Sequence, residues 1–302
     1  MNLAPILLFA FKRNYELKQT VEALRNNLLA KESNLYIFSD AAKTQTDQPF
    51  VLEVRKYIKT IQGFKNIHIV ESEKNKGLAN SIIDGVTQII NTNEKVIVLE
   101  DDLLTSPNFL VYMNHCLDRY SENKKVFSIS GYTFPIANPN SLDIYFTKRG
   151  SSWGWATWKD RWVNIDWQIN DYYQFKNNKN SRKKFNEMGS DMANMLDKQM
   201  NNKMDSWAIR WCYNQFKNNQ FTVYPFVSKV KNIGFSDGAT HTFDIINRYD
   251  TVLDNSSKVI FKLTDPYLDN STLKKFISKY SIYTRVKYKI LNKIAALKNY
   301  FR

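Results

Sequence analysis

The stretch Val96-Ile97-Val98-Leu99-Glu100-Asp101-Asp102 places four apolar residues directly before three carboxylates. The apolar part shows no polar alternation, which is typical of a strand that is buried on both faces of a sheet. The acids then fall at the C-terminal end of that strand, the edge at which open α/β sheets bind ligands. Adjacent carboxylates repel one another, and a divalent cation or sugar hydroxyls would relieve the repulsion. The alternative is a solvated acidic turn.

Composition and charge narrow the class of protein. The chain has 302 residues, of which 43% are apolar and 14% aromatic, enough for one large domain or two small ones. Its net charge of +14 predicts an anionic partner, such as a phosphorylated substrate or an anionic lipid. The sequence contains no zinc-finger spacing, aromatic RNA-binding motif or basic zipper, so we expect no nucleic-acid partner. Cys116 and Cys212 form neither a disulfide framework nor a metal motif, which suits a reducing compartment.

Apolar segments alternate with helical patterns in the first hundred residues. The predicted strands cover 5–11, 35–38, 67–70 and 96–99, and the predicted helices cover 15–29, 49–61 and 75–90. This order predicts an α/β fold with a mostly parallel central sheet flanked by helices. No glycine-rich dinucleotide motif or P-loop follows any of these strands, which argues against both kinds of nucleotide site. A run of 18 apolar residues is also absent, so we expect no transmembrane helix.

Polar residues follow several of the predicted strands, and the ends of parallel strands meet at one edge of a sheet. Arg13 follows the first strand, Asp40 the second, and Lys76 and Asn80 lie in the turn before the third helix. With the three acids they offer a partner for each part of a nucleotide. Asp40 or Asp101 would accept from the base or the ribose, and Arg13 and Lys76 would approach the phosphates. Alternatively, Arg13 and Lys76 are surface charges and Asn80 belongs to an ordinary helix start.

Tryptophan is concentrated in one segment, because five of the seven tryptophans lie between positions 153 and 167. Trp153-Gly154-Trp155 has a glycine between two indoles, which lets the backbone approach a neighbouring group closely. Flat indole faces suit the apolar faces of sugar rings, so we predict that these three residues contact a sugar substrate. Core packing is the alternative for both indoles.

Two further candidates lie in the second half of the chain. Asp205 precedes an apolar helical pattern, either as its N-cap or as a functional carboxylate. His241 ends a loop with Gly234, Asp237 and Gly238, a composition that suits a phosphate or a metal. The alternative for His241 is an ordinary surface histidine.

The C-terminal segment, residues 273–302, contains nine lysines or arginines and no acid. Its apolar residues recur at spacings of three, four and seven, which predicts a basic amphipathic helix, either continuous or broken in two. Such a segment suits an anionic membrane surface. The alternative is a helix that packs on the domain with its lysines in water.

Four ordered motifs resemble those of the GT-A glycosyltransferases, which use nucleotide-diphosphate sugars. They are Phe9 to Asn14, Ser39-Asp40, Asn75 to Ala79, and Glu100-Asp101-Asp102, which matches the Glu-Asp-Asp form of the family's DXD motif. Downstream, Gly154-Trp155 and Asp205-Ser206-Trp207 are similar to the N-acetylglucosaminyltransferase I type, and 232–241 is similar to bacterial family-2-like transferases. The resemblance covers about residues 4–245.

The resemblance implies an inverting, metal-dependent glycosyltransferase. Asp102 and His241 would bind Mn²⁺ or Mg²⁺, and Asp205 would be the general base that deprotonates the acceptor hydroxyl. The donor, expected to be a UDP-sugar, would be bound by Phe9, Arg13, Asp40, Lys76, Asn80, Glu100 and Asp101. The acceptor would be a glycan or a lipid-linked glycan.

The resemblance and the basic C-terminal segment also predict the domain organisation and the cellular location. Residues 1–265 would form the GT-A domain, with a nucleotide-binding half (1–103) and an acceptor-side half (104–265), followed by the basic tail (266–302). We expect a cytoplasmic protein held peripherally at the inner face of the cytoplasmic membrane, working in bacterial surface polysaccharide synthesis. Two other functions fit the sequence: a nucleotidyltransferase acting on sugar phosphates, and a non-catalytic carbohydrate- or lipid-binding protein of the same fold.

Overall fold

The computed structural model describes residues 2–235 and 247–300, with side chains as far as residue 295. The strands are β1 (Ile6–Ala10), β2 (Asn34–Ser39), β3 (Asn66–Glu71), β4 (Lys95–Glu100), β5 (Leu103–Thr105), β6 (Val126–Ser130), β7 (Ile144–Thr147), β8 (Trp155–Trp158), β9 (Phe221–Pro225) and β10 (Val230–Asn232). The α-helices are α1 (Asn14–Arg25), α2 (Gln48–Ile58), α3 (Leu78–Asn93), α4 (Phe109–Arg119), α5 (Lys159–Trp162), α6 (Tyr172–Asn177), α7 (Lys179–Phe185), α8 (Met192–Met200), α9 (Trp207–Lys217), α10 (Asn270–Ser278) and α11 (Ile282–Tyr300).

The central sheet follows the strand order β3-β2-β1-β4-β8-β6-β9-β7, and β10 pairs with β5 in a separate antiparallel ribbon. The first four strands are parallel to one another, as the alternating sequence pattern predicts. β8 then runs antiparallel to both β4 and β6, β9 is parallel to β6, and β7 is antiparallel to β9. The predicted α/β class with a mostly parallel sheet is therefore confirmed.

β4 is the central strand that its apolar sequence predicts. Val96 to Leu99 are all fully buried, and their side chains alternate between two cores. Ile97 and Leu99 join a core with α1, α2 and α4, whereas Val96 and Val98 join one with α3 and α9. Because both faces of the strand are covered, the strand has no solvent side and needs no polar alternation.

The tryptophan segment forms part of this sheet. Residues 155–158 are strand β8, whose register pairs Val98 with Trp155 and Lys95 with Trp158. The Trp155 ring lies 4.0 Å from the Trp211 ring and 5.7 Å from the Trp162 ring, between centroids. Trp155, Trp162 and Trp211 thus build much of the core on the α3 and α9 side of the sheet, whereas Trp158 lies in the core on the other side.

The C-terminal segment is broken in two. α10 packs on the domain, because Phe276 is fully buried and Tyr280, which follows the helix, is 7% exposed, both within the main core. α11 instead presents exposed apolar side chains along one stripe, among them Val286, Ile290 and Ile294. Within the described ranges, the helices are too short or too polar to cross a membrane.

Candidate active site

A cavity of about 620 Å³ opens at the C-terminal ends of β1, β2 and β4. This volume is typical of small-molecule sites. Its lining includes Arg13, Asp40, Asp102, Trp153 and Asp205, so the structure brings together predicted residues from five separate parts of the chain. The lining also includes the predicted residues Phe9, Glu100 and Asp101.

Arg13 lies inside the acidic cluster at the end of β4. One guanidinium nitrogen is 2.9 Å from Asp101 Oδ1, and the other donates to Asp102 Oδ2 at 2.8 Å. The second oxygen of Asp101 accepts the backbone N–H of Phe11 at 3.1 Å. Asp101 is therefore held from two sides, whereas the described hydrogen bond of the Asp102 carboxylate is from Arg13 alone.

Burial is the largest influence on the two other acids of the cluster. It raises the pKa of Glu100 to about 8, and repulsion from Asp102 and Asp101 adds to the effect. It also raises the pKa of Asp101 to about 6, against the attraction of Arg13. The raised pKa values mean that the surroundings stabilise the ionised forms of these acids poorly. A cationic partner would favour the ionised carboxylates.

Asp40 is saturated with hydrogen bonds from the protein. Its carboxylate accepts the backbone N–H groups of Ala41 and Lys76 at 2.9 Å and of Gly77 at 3.0 Å, and Asn75 Nδ2 at 3.1 Å. Three of these four donors belong to the loop that leads into α3. Although Asp40 lines the cavity, its geometry is that of a residue that holds this loop.

Two predicted donor-binding residues, Lys76 of the same loop and Asn80 of α3, point elsewhere. Lys76 Nζ forms a surface ion pair with Asp84 at 2.8 Å, and Asn80 Nδ2 donates to the carbonyl of Lys76 at 3.0 Å. Neither residue lines the cavity, so the structure does not bring them together with the other predicted residues, and donor binding by them stays a prediction. For Asn80 the reason is helical rotation, because Ser81, one residue further along α3, faces the cavity instead.

The segment after β10 closes the site beside Asp102. The β10–β5 pairing brings Ile233 N–H to within 2.9 Å of the Asp102 carbonyl. A Cβ at Gly234 would lie 2.1 Å from Asp102 Oδ2, so only a glycine fits beside that oxygen. His241, the other predicted metal ligand, lies outside the described residues.

The donor atoms at Asp102 fit a hard cation such as Mg²⁺ or Mn²⁺, because both prefer oxygen ligands. Within 2–235 and 247–300, no three His, Cys, Asp or Glu side chains are grouped closely enough to hold a metal ion. A cation at Asp102 would therefore take its other ligands from water and phosphate oxygens, as Mg²⁺ commonly does.

The predicted sugar-binding trio is only partly at the cavity. Trp153 lines it, in edge-to-face contact with Tyr132 at 4.7 Å and Tyr249 at 5.4 Å between ring centroids. Trp155 is fully buried in strand β8, and Gly154, at φ +57°, approaches Val230 within the core. The prediction of sugar contact is therefore wrong for Trp155 and Gly154, because strand alternation turns Trp155 into the core.

Asp205 lies at the cavity, immediately before helix α9. Ser206, not Asp205, is the N-cap, since its hydroxyl accepts the N–H of Ile209. Asp205 is exposed, and a Cβ on Gly77 would lie 3.8 Å from its Oδ2. Its carboxylate is thus not committed to capping and faces the loop that Asp40 holds.

The cavity has further polar residues that sequence reasoning missed. Arg149 is buried, bonds both oxygens of Asp191 at 2.8 and 3.1 Å, and stacks 3.7 Å from the Tyr280 ring. Arg149 and Tyr280 both line the cavity, and so does Lys43 in the loop after β2. No local motif marks these residues, because they meet only through the packing of α8 and α10.

No family model and no curated protein matches the chain. Several solved structures are similar to it. Mannosyltransferase PcManGT from Pyrobaculum calidifontis, in complex with GDP-Man and Mn2+, is 13% identical with a TM-score of 0.39, over 53% of this chain and 46% of that one. The TarS 1-349 fragment from S. aureus is 10% identical with a TM-score of 0.41, over 76% and 60%. A UDP-glucose pyrophosphorylase complexed with UDP-glucose is 12% identical with a TM-score of 0.37, over 76% and 92%.

This chain thus spans about half the length of the first of these structures and 60% of the second. At TM-scores near 0.4 these likenesses are too distant to assign an activity.

Proposed function

We propose that the chain is a GT-A-type glycosyltransferase that moves a sugar from a nucleotide-diphosphate sugar to a hydroxyl of a glycan acceptor. One observation carries the proposal. A single cavity is lined by the buried acids at the end of β4, by the aromatic group around Trp153, and by the carboxylate of Asp205. Donor activation, sugar binding and proton removal each need one of these three components.

The donor would lie along the ends of β1, β2 and β4. Phe9 and Phe38 stack with their ring centroids 5.0 Å apart and line the cavity beside Leu78, which suits the apolar face of a nucleobase. Glu100 and Asp101 would accept hydrogen bonds from ribose or sugar hydroxyls. Lys43, exposed at the same rim, would approach a phosphate.

A divalent cation, Mn²⁺ or Mg²⁺, held by Asp102 would supply the charge that neutralises the leaving diphosphate. Asp205 would accept the proton of the acceptor hydroxyl as general base. Direct attack by that hydroxyl inverts the anomeric carbon and needs no covalent intermediate on the protein. Trp153 would orient the acceptor or donor sugar against its indole face.

The experiment is a thermal-shift screen of UDP-, GDP-, CMP- and dTDP-sugars with Mn²⁺, followed by a transfer assay with the best donor. A true donor at 100 times its Kd stabilises the protein by about 2.7 kcal/mol. Asp205→Asn should keep that donor shift but lower kcat by about 10²- to 10⁴-fold, the usual worth of a general base. Asp265→Asn, at a side chain that is 83% exposed on the surface, is the matched control and should transfer normally.

Each other outcome identifies a different function. Release of pyrophosphate from a nucleoside triphosphate and a sugar phosphate would indicate a nucleotidyltransferase. The structure makes this less favourable, because only residues 11–13 separate β1 from α1, too short a turn for a phosphate-cradling loop. Binding of glycans without transfer from any donor would indicate a non-catalytic carbohydrate-binding protein.

We further propose that α11 holds the enzyme at an anionic membrane face, where a lipid-linked acceptor would be extended in bacterial surface polysaccharide synthesis. Val286, Ile290 and Ile294 are 45–52% exposed at spacings of four, which gives one stripe on the helix. Lys287, Lys289 and other basic residues surround this stripe, and anionic lipid is the complementary surface.

Vesicle co-sedimentation tests this second proposal. Val286→Asp with Ile290→Asp should abolish binding to vesicles that contain phosphatidylserine, while leaving transfer to a water-soluble acceptor unchanged. Leu52→Asp with Val163→Asp is matched in charge and exposure but lies on the body of the protein, so binding should remain. Equal binding by both double variants would contradict the proposal.

A further inference from the structure

Arg13 is the cation that the acidic cluster already contains. Its two terminal nitrogens reach Asp101 and Asp102 at 2.9 and 2.8 Å. Its side chain is only 22% exposed, so solvent screens these contacts weakly. The guanidinium keeps its charge in this setting, because arginine is not deprotonated in proteins.

The contact is also sterically defined. A Cβ at Gly234 would lie 2.6 Å from Arg13 Nη1 and 2.1 Å from Asp102 Oδ2. The backbone at Gly234 therefore covers the point at which the guanidinium and the carboxylate meet. Since Arg13 is the N-cap residue of α1, its backbone is fixed by the helix and only its side chain can leave this point.

We propose that Arg13 competes with the divalent cation for Asp102 Oδ2, and that this competition keeps the metal affinity of the protein low until a diphosphate arrives. The inference rests on the proposed function in one respect, the diphosphate. A cation bound to Asp102 lies about 2 Å from the carboxylate oxygen. Arg13 at 2.8 Å from the same oxygen would then be a second positive charge close to the first, and the two repel each other.

A diphosphate resolves the conflict because it offers Arg13 a second anionic partner. Guanidinium groups bind phosphate oxygens in the same forked geometry as carboxylates. Once Arg13 turns to the diphosphate, Asp102 is released for the cation, which binds the same diphosphate. Metal and donor therefore bind cooperatively, and by linkage each raises the affinity of the other by the same factor. Arg13 is a positioning residue in this scheme and takes no part in bond cleavage.

The test is a titration of the protein with Mn²⁺ alone. The electron paramagnetic resonance signal of unbound Mn²⁺ is the readout. Arg13→Gln removes the charge and should bind Mn²⁺ at least tenfold more tightly than the natural protein. Lys12→Gln removes the neighbouring charge, which pairs with Asp47 at 2.7 Å instead of with the β4 acids, and should change the affinity less than twofold. Asp102→Asn added to Arg13→Gln should abolish the gained binding.

A second variant allows the proposal to be tested even if Arg13→Gln misfolds. Arg13→Lys keeps a charge but forms a single contact, so its Mn²⁺ affinity should lie between those of the natural protein and Arg13→Gln. Equal or weaker Mn²⁺ binding by the Arg13 variants overturns the proposal. The titration contains no nucleotide sugar, so its outcome does not depend on whether the chain transfers sugar.

Discussion

Asp40 shows how one carboxylate can shape the wall of a cavity through its hydrogen bonds to the backbone. Its oxygens accept from Ala41, Asn75, Lys76 and Gly77, which fixes the loop between β3 and α3. Gly77 of this loop lies next to Asp205. Asp40 therefore connects the end of β2 to the wall that faces the proposed base.

Asp40→Asn should weaken both the loop and donor binding. An asparagine turns one acceptor into a donor that faces backbone N–H groups, which leaves buried polar groups unsatisfied at a cost of about 1–3 kcal/mol. Urea unfolding should reveal this loss, and the KM for the donor should rise more than kcat falls. Asp84→Asn, at an exposed carboxylate of α3, should stay within about 0.5 kcal/mol. Normal stability with complete loss of donor binding would instead indicate direct contact with the nucleotide.

Sequence patterns predicted which residues follow the strands but not where their side chains point. Arg13, Asp40 and the β4 acids reach one edge because parallel strands end there. The position of the Asn80 side chain depends on how α3 is rotated, and the burial of Trp155 depends on its strand partners. Arg149 has no local signal, since its partners Asp191 and Tyr280 are far away in the sequence.

At the scale of elements, the two C-terminal helices differ in how their apolar side chains pack against the domain. Phe276 of α10 packs against Tyr224 and Tyr145 with centroid distances of 5.1 and 6.2 Å, whereas Ile290 of α11 is 52% exposed. The sequence predicted one amphipathic character for the whole segment. Only the packing reveals that α10 belongs to the core, because spacing alone does not identify the surface that an apolar face covers.

Phe276→Ala should lower the free energy of unfolding by about 3–5 kcal/mol, because it removes a fully buried aromatic ring and leaves a cavity. Ile290→Ala should change it by no more than about 0.5 kcal/mol. Chemical denaturation of both variants gives the comparison. Equal effects would mean that α10 and α11 are bound to the domain to the same degree.

At the scale of the whole molecule, the buried pair Lys229–Asp254 ties distant segments together. Lys229 precedes β10, and Asp254 lies in the segment that follows residue 246, with Asn108 at the start of α4 as a further donor at 3.0 Å. Burial by itself would raise the pKa of Asp254, but the hydrogen bonds from Lys229, Asn108 and Ser256 lower it to about 2. The folded state therefore favours the ionised carboxylate.

This pair should give the protein an acid-sensitive stability. Because the folded pKa of about 2 lies below the ordinary value of 3.8, the contribution of about 2 kcal/mol is present above about pH 4 and is lost as the pH falls towards 2. Asp254→Asn should be less stable than the natural protein at pH 7 by about 3–5 kcal/mol, because Lys229 stays buried without its partner. Unfolding free energies measured from pH 7 to pH 2 should show that difference shrinking by about 2 kcal/mol. A constant difference would assign the stabilisation to groups other than Asp254.

The topology of the second half was beyond sequence reasoning. The strands β3, β2, β1 and β4 follow from local β-α-β alternation, whereas β8 pairs with β4 some sixty positions earlier in the chain. Such a pairing is set by complementary buried surfaces, which a single sequence does not display.

The place of β8 has a consequence for the order in which the protein folds. β8 lies between β4 and β6 although it follows both in the chain, so the sheet stays in two pieces until this strand inserts. Closing that long loop costs entropy before its contacts are gained, whereas the first four strands assemble through short connections. Pulsed hydrogen exchange during refolding should find the amides of β1, β2 and β4 protected before those of β6 and β9; simultaneous protection would contradict this order. The cavity, whose walls come from both pieces, would then be the last part of the molecule to form.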